Sequence, residues 1–365
     1  MASSAAQTTN EPGNGLRNDF DMAGRESNHG TDCDVAIVGG GMAGLGAALT
    51  LARAGRRVIV IDAGKPRNRF ASHVQGYLTR DGMPPSELLA IGRQEVERYG
   101  AIIREGEVVE VVAAGKREGE WFVLALADGT RLTARRVMVT TGLRDELPEI
   151  EGIAELWGKD VHHCPYCHGY EVRNEPLGVI ASGPMSVHLG LLIRHWSENL
   201  VYFANETELV DADREKMEAR GTRIVLGKVR RLVIAADRLT GVELEDGTVV
   251  ARTALFVGPR FVAEDSLLAR MGAETQTSEL GTWVVTDRMG STTVPGVWAA
   301  GNVADLGLQV INAAGAGVMA AAAINGNLIE EDTRDAVAAA AAASTPTRNP
   351  TAVTIGAAGA AGAAG

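Results

Sequence analysis

At 365 residues the chain is too long for one average domain, and two domains, each burying its own core, is the expectation. Its residues are 45% hydrophobic and 22% charged with a formal net charge of -11, which argues against nucleic-acid binding, because phosphate affinity comes from clustered Lys and Arg. No run approaches the roughly 20 apolar residues that cross a bilayer, so no membrane association is expected.

Residues 1–30 are rich in Ser, Asn, Gly and charge and lack the basic start and apolar stretch of a secretory signal, so a disordered extension of a cytoplasmic protein is expected. Asp34-Val-Ala-Ile-Val-Gly-Gly-Gly-Met-Ala-Gly44 then runs from a short strand into glycines. An Ala/Leu-rich helix to about Ala54 and a second strand ending at Asp62 complete a βαβ unit. Helical spacing returns from Pro85 to Tyr99, and alternation from Ala101 to Val139 predicts an antiparallel insert. After Thr140-Thr-Gly-Leu-Arg-Asp-Glu-Leu-Pro148 the opening logic repeats more weakly: strand at 177–183, helix at 185–196, strand at 199–203. A second doubly wound domain follows from that repeat. Alternation from Arg223 to Val257, a Val294–Asn302 strand and a small-residue helix from Ala313 to Ile329 precede an Ala/Gly/Ser/Thr-rich tail.

The expected fold is therefore α/β, with two Rossmann-like, three-layer domains, the first of them discontinuous. The division is a leader at 1–30, a dinucleotide domain at 31–148 and 262–332, a middle domain at 149–261 and a low-complexity tail at 333–365.

Gly39-x-Gly41-x-x-Gly44 lies between strand and helix, with Asp62 18 residues further on. Glycines there admit a tight turn and a close-lying pyrophosphate at the positive helix end, and Asp62 can accept a ribose hydroxyl. This fingerprint alone does not choose between FAD and NAD. Of the three cysteines, Cys33, Cys164 and Cys167, the latter two stand in His163-Cys-Pro-Tyr-Cys-His168. A pair two residues apart can close a disulfide, one thiol resolving the mixed disulfide formed by the other. A zinc half-site and an inert pair are the alternatives, with His162, His163 and His168 at hand as further ligands. An ordinary imidazole titrates near neutrality, so His168 is a candidate to take a thiol proton, unless it only packs; His162 and His163 read as structural.

Val294-Pro-Gly-Val-Trp-Ala-Ala-Gly301-Asn302 resembles the second FAD fingerprint of two-dinucleotide-domain flavoprotein reductases. Together with Gly142 and Pro148 of the linking segment and the CxxC, it makes residues 33 to 330 similar to the thioredoxin-reductase family of low-molecular-weight flavoproteins. The resemblance implies FAD as cofactor, with Gly301, Asn302, Gln309 and Val310 at its flavin end, and a homodimer. It also implies that Cys167 faces the flavin while Cys164 meets the substrate thiol. Asn302 stands where the family has Asp, and His168 where true thioredoxin reductases have Asp.

The family's NADPH-binding pattern is degraded. Ala181-Ser-Gly183-Pro-Met-Ser186 lacks the first glycine, Pro184 removes a backbone donor, and Asn205 and Glu206 replace the cations that hold a 2′-phosphate. These departures resemble the dithiol oxidases of gliotoxin, holomycin and romidepsin biosynthesis, which carry CxxCH and lack NADPH motifs. That likeness implies oxidation of a small-molecule dithiol to its intramolecular disulfide, with molecular oxygen as acceptor and peroxide released. The alternatives are a disulfide reductase fed by NADPH or another donor such as ferredoxin, and a flavin-fold binding protein without turnover. Tyr166, Trp157 and Tyr77 are expected near the substrate.

Overall fold

The computed structural model describes residues 30–115 and 119–343. The expectations for the leader and the end of the tail fall on residues 1–29 and 344–365, outside the described residues. Compact packing divides the described residues at Ile324, into a unit up to that residue and one from Asn325 onward.

Within the first unit, two sheets each have a parallel centre built on apolar runs buried on both faces, the pattern that parallel strands require. The first sheet orders Ile102–Glu105, Val58–Asp62, Cys33–Val38 and Arg131–Val139 side by side, all parallel. The free edge of Arg131–Val139 is shared. Its first half pairs antiparallel with Trp121–Leu126, which in turn pairs with Val108–Ala114. Its second half takes Val297–Ala299 in parallel, from far along the chain. One nine-residue strand thus accepts both the insert and the returning chain, which is how a discontinuous sheet closes.

The second sheet is wholly parallel, in the order Arg223–Val225, Leu200–Phe203, Leu177–Ile180, Ala254–Val257, Val161–His162. A three-stranded antiparallel sheet of Val229–Ala235, Arg238–Leu244 and Val249–Val250 accompanies it. Passage between the two sheets is made by Leu143–Glu146 going out and Arg260–Ala263 coming back, paired antiparallel in register Arg144 with Val262.

The expected helix at 185–196 is Ser186–Ile193, and that at 85–99 is Pro85–Glu97, opened by a proline at its first position as helix starts favour. The last helix runs Val310–Ala343, past Ile329 into the first alanines of the tail, an extension their composition allows. Alanine is the best helix former, so the Ala run at the head of the tail prolongs it. Among the described residues no helix is long and apolar enough to cross a membrane.

Candidate active site

In open α/β sheets ligands bind beyond the carboxyl ends of the strands, where strand order reverses. At that point of the first sheet lie Gly39, Gly41 and Gly44. Gly39 has φ +106°, and a Cβ there would stand 2.5 Å from the Thr140 carbonyl oxygen of the neighbouring strand. Thr140 in turn donates its hydroxyl to the Gly39 carbonyl at 2.8 Å. A Cβ on Gly44 would collide with the Gly39 carbonyl, whereas around Gly41, at the mouth of the Met42–Arg53 helix, there is open space. The turn is therefore closed beneath and clear above.

The Val310–Ala343 helix meets this first helix at backbone distance. A Cβ on Gly46 would lie 2.7 Å from the Ala314 carbonyl oxygen, one on Gly317 would strike the Ala43 carbonyl, and one on Gly301 (φ +81°) would reach Ala43 Cβ at 3.0 Å. Glycines from opposite ends of the chain thus lock the two fingerprints together.

 The separation lies along the chain only, from Gly44 to Gly301; in space the two turns touch.

Asp62, at the end of its strand, is paired with Arg93 and packs against Gly40, where a Cβ would meet the Asp62 carboxyl carbon at 2.7 Å. A cavity of about 350 Å³ opens beside it, lined by Asp62, Gly64, Lys65, Glu105 and Gly106 among others. Clear backbone amides at a helix start, a second helix start locked onto it and a polar cavity past an acidic strand end fit FAD. Gly142 (φ +77°) accepts a hydrogen bond from the Glu264 amide at 3.0 Å, tying the outgoing and returning links. Asn302 does something its reading as a lost charge did not foresee. Its Nδ2 donates to the carbonyls of Asp305 (3.0 Å), Leu306 (3.4 Å) and Leu308 (3.1 Å), shaping the loop that delivers Gln309 and Val310 to the helix start. An aspartate has no N–H to give. Tyr77 sits in the turn next to Gly76, where a Cβ would lie 3.9 Å from the Gln309 side-chain oxygen.

The cysteine pair lies off the carboxyl end of the second sheet's edge strand, Val161–His162. Pro165 opens a single helical turn, Pro165–His168, which brings the cysteine Cα atoms to 5.3 Å and their sulfurs into a disulfide. Both sulfurs are engaged in this bond. Gly169 ends the turn against Trp196, where a Cβ would stand 2.8 Å from the indole. Tyr166, between the cysteines, is exposed and edge-on to Trp196, with ring centroids 5.9 Å apart. Cys33 is buried, and its surroundings push its thiol far above the ordinary range, chiefly by burial, so it stays protonated.

The three histidines separate by environment. Arg67 forks onto Asp145 (3.0 and 2.6 Å) and lies 3.3 Å from His163 Nε2. A guanidinium can only donate, so this nitrogen of His163 accepts and the ring is neutral. Burial and Arg67 hold His163 down to about 4, and Trp157 stacks on it at 5.8 Å. His162 is buried and lowered to about 3, first by burial and then by the neighbouring His168. His168 is lowered by burial, opposed by Glu171 and the Cys164 backbone, and is neutral at pH 7. It is the histidine joined directly to Cys167, and its ring stacks on His162 at 4.2 Å.

At the corresponding switch point of the second sheet, the amides that a phosphate would need are already taken. Ser186 Oγ accepts from Ser182 N (3.0 Å) and Gly183 N (3.1 Å), and Ser182 Oγ donates across the crevice to the Gly258 carbonyl at 2.7 Å. Asn205, at φ +46°, donates to Ala181 O (3.1 Å) and accepts from Val229 N (3.0 Å). The sequence showed which groups are missing there; the internal bonds that replace them depend on side-chain placement.

Residues 33–317 match the model of the pyridine nucleotide-disulphide oxidoreductase family, and the chain belongs to that family, a class of FAD-binding flavoenzymes. Among its relatives, thioredoxin reductase tcpT of Claviceps purpurea is 32% identical over 297 residues, 79% of this chain and 91% of the relative. Thioredoxin reductase sirT of Leptosphaeria maculans is 31% identical over 311 residues, 80% and 93% of the two chains. The solved structure of HlmI superposes with a TM-score of 0.82 at 50% identity, over 86% of this chain and 97% of that one. An oxidoreductase from Agrobacterium tumefaciens gives 0.76 at 38% identity, over 81% and 98%.

Proposed function

We propose that the chain is an FAD-dependent dithiol oxidase that closes an intramolecular disulfide in a small-molecule dithiol, with oxygen as acceptor and hydrogen peroxide as second product. The observation that carries this reading is the combination of a CxxC disulfide beside a neutral histidine with a second dinucleotide crevice whose phosphate-binding amides are capped by Ser186. Such a chain is equipped to take electrons from thiols and poorly equipped to take them from NADPH.

FAD is held by the Gly39, Gly41 and Gly44 turn, Asp62, Gly142, Gly301, Asn302 and the Gln309–Val310 helix start. When bound, it supplies a two-electron acceptor for the reduced cysteine pair that oxygen can reoxidise. The protein's part is thiol exchange. One substrate thiol passes its proton to His168, and the thiolate attacks Cys164 Sγ, displacing Cys167 as thiolate. The second substrate thiol then attacks the substrate sulfur of the mixed disulfide, its proton passing to the departing Cys164 Sγ, and the substrate leaves as the cyclic disulfide. Two electrons and two protons have then moved from substrate to enzyme. Exposed Tyr166 beside the disulfide offers the substrate an aromatic face.

Oxygen uptake by the holoenzyme with a small dithiol tests this. Uptake matched one to one by peroxide is expected, abolished in C164S and C167S and kept within about 2-fold in C33A, whose thiol is inert. Absence of uptake across several dithiols would contradict the oxidase reading.

A further inference from the structure

His162 takes no part in the thiol exchange, yet it is the most deeply placed of the three histidines, at 5% exposure. Its ring lies face to face with that of His168, centroids 4.2 Å apart and planes 14° from parallel, with Phe256 behind it at 5.6 Å. Buried Nδ1 atoms of both His162 and His168 have no hydrogen-bond partner among the described residues. A histidine that moves protons is ordinarily oriented by a hydrogen bond to its far nitrogen. His168 has no side-chain partner at Nδ1; besides the Cys164 backbone, the contact the structure gives its ring is the stack on His162.

The backbone fixes the platform. His162 pairs in register with Phe256 in the second sheet. Just before it, Asp160 is clamped by Arg238 Nε and Nη2 and by the Leu239 amide at 2.8 to 3.1 Å. The charged and titratable groups facing this pair are Glu171 toward His168, and Asp160 and His163 toward His162. Burial keeps His162 neutral across the working range, so it does not compete for the thiol proton.

We propose that His162 is a positioning residue whose buried ring face holds the His168 imidazole in place where no side chain orients it by a hydrogen bond. The proposal rests on His168 being the group that accepts the thiol proton. What matters is a flat ring at position 162, which phenylalanine also supplies and alanine or leucine does not.

The test is anaerobic single-turnover mixing of the holoenzyme with dithiothreitol, following flavin bleaching between about pH 5 and pH 9. H162F is expected within about 3-fold of the parent rate with its acid limb unmoved. H162A is expected about 10-fold slower or worse, its acid limb displaced upward as a loosened His168 becomes hydrated and returns toward ordinary histidine behaviour. H162L fills the space without a flat ring and is expected to behave as H162A, which keeps the test open if H162A does not fold. Parent-like rate and limb in H162A or H162L would overturn the proposal, as would an H162F as slow as H162A. H168A separates the two levels: a parent-like rate there would refute His168 as proton acceptor and the proposal with it, whereas a slow H168A beside a parent-like H162L refutes the platform alone.

Discussion

Burial of His162 and His163 has a consequence for stability. Each is held neutral in the fold, at about 3 and about 4, while an unfolded histidine titrates near 6.5. Below that pH the unfolded chain binds the extra protons, so the stability these residues leave intact above about pH 6.5 is lost as pH falls toward 4. Each histidine contributes a slope of about 1.4 kcal/mol per pH unit. H162F cannot take up that proton. Its urea-unfolding stability is therefore expected to decline less steeply between about pH 6 and pH 4, by about 1.4 kcal/mol per unit. Equal slopes in the two proteins would show that His162 titrates normally in the fold. At this scale the sequence was legible in its chemistry and not in its contacts. CxxC followed by histidine could be read as a redox pair with a base, but that the preceding His162 and His163 would face different partners follows only from the strand that carries them. Asn302 makes the same point, since its three carbonyl acceptors exist only once residues 303–309 fold into a loop.

Short elements carry the site, and side chains from elsewhere fix them. The 3-10 turn Arg67–Phe70 follows the first βαβ unit, yet Arg67 joins Asp145 on the outgoing link to His163 beside the disulfide, with its guanidinium over Phe261 of the returning link at 5.0 Å. One side chain thereby ties the segment before Cys164 to both connecting strands. R67A is expected to cost about 1–3 kcal/mol, because it strands a partly buried carboxylate and imidazole. R67K should recover only part of this, since an ammonium cannot fork. Thermal or urea unfolding of the two variants measures it, and full recovery by lysine would show that charge alone suffices. The glycine turns and the apolar strands were readable because each is local: a strand, a tight turn and a helix start within a dozen residues. Arg67 was not, because its partners lie 78 and 96 positions away. Ser186 was likewise unremarked within a degraded motif, although it supplies the hydroxyl that satisfies the motif's free amides.

For the molecule as a whole, the two doubly wound sheets could be anticipated from the repeated βαβ pattern, whereas the antiparallel pairing of the links could not, and the shared edge of Arg131–Val139 explains why the last strand returns to the first sheet. Both sheets keep the crevice that the architecture provides, but only the first leaves its turn clear above Gly41. The second closes its own with Ser186, the Ser182 to Gly258 bond and Asn205. The central claim is that electrons enter through Cys164 and Cys167 and not through a nicotinamide nucleotide. Anaerobic mixing of the oxidised holoenzyme with NADPH, and separately with a small dithiol, tests it most directly by the absorbance of the flavin. The account predicts bleaching by the dithiol and none by NADPH over the same interval; rapid bleaching by NADPH would contradict it.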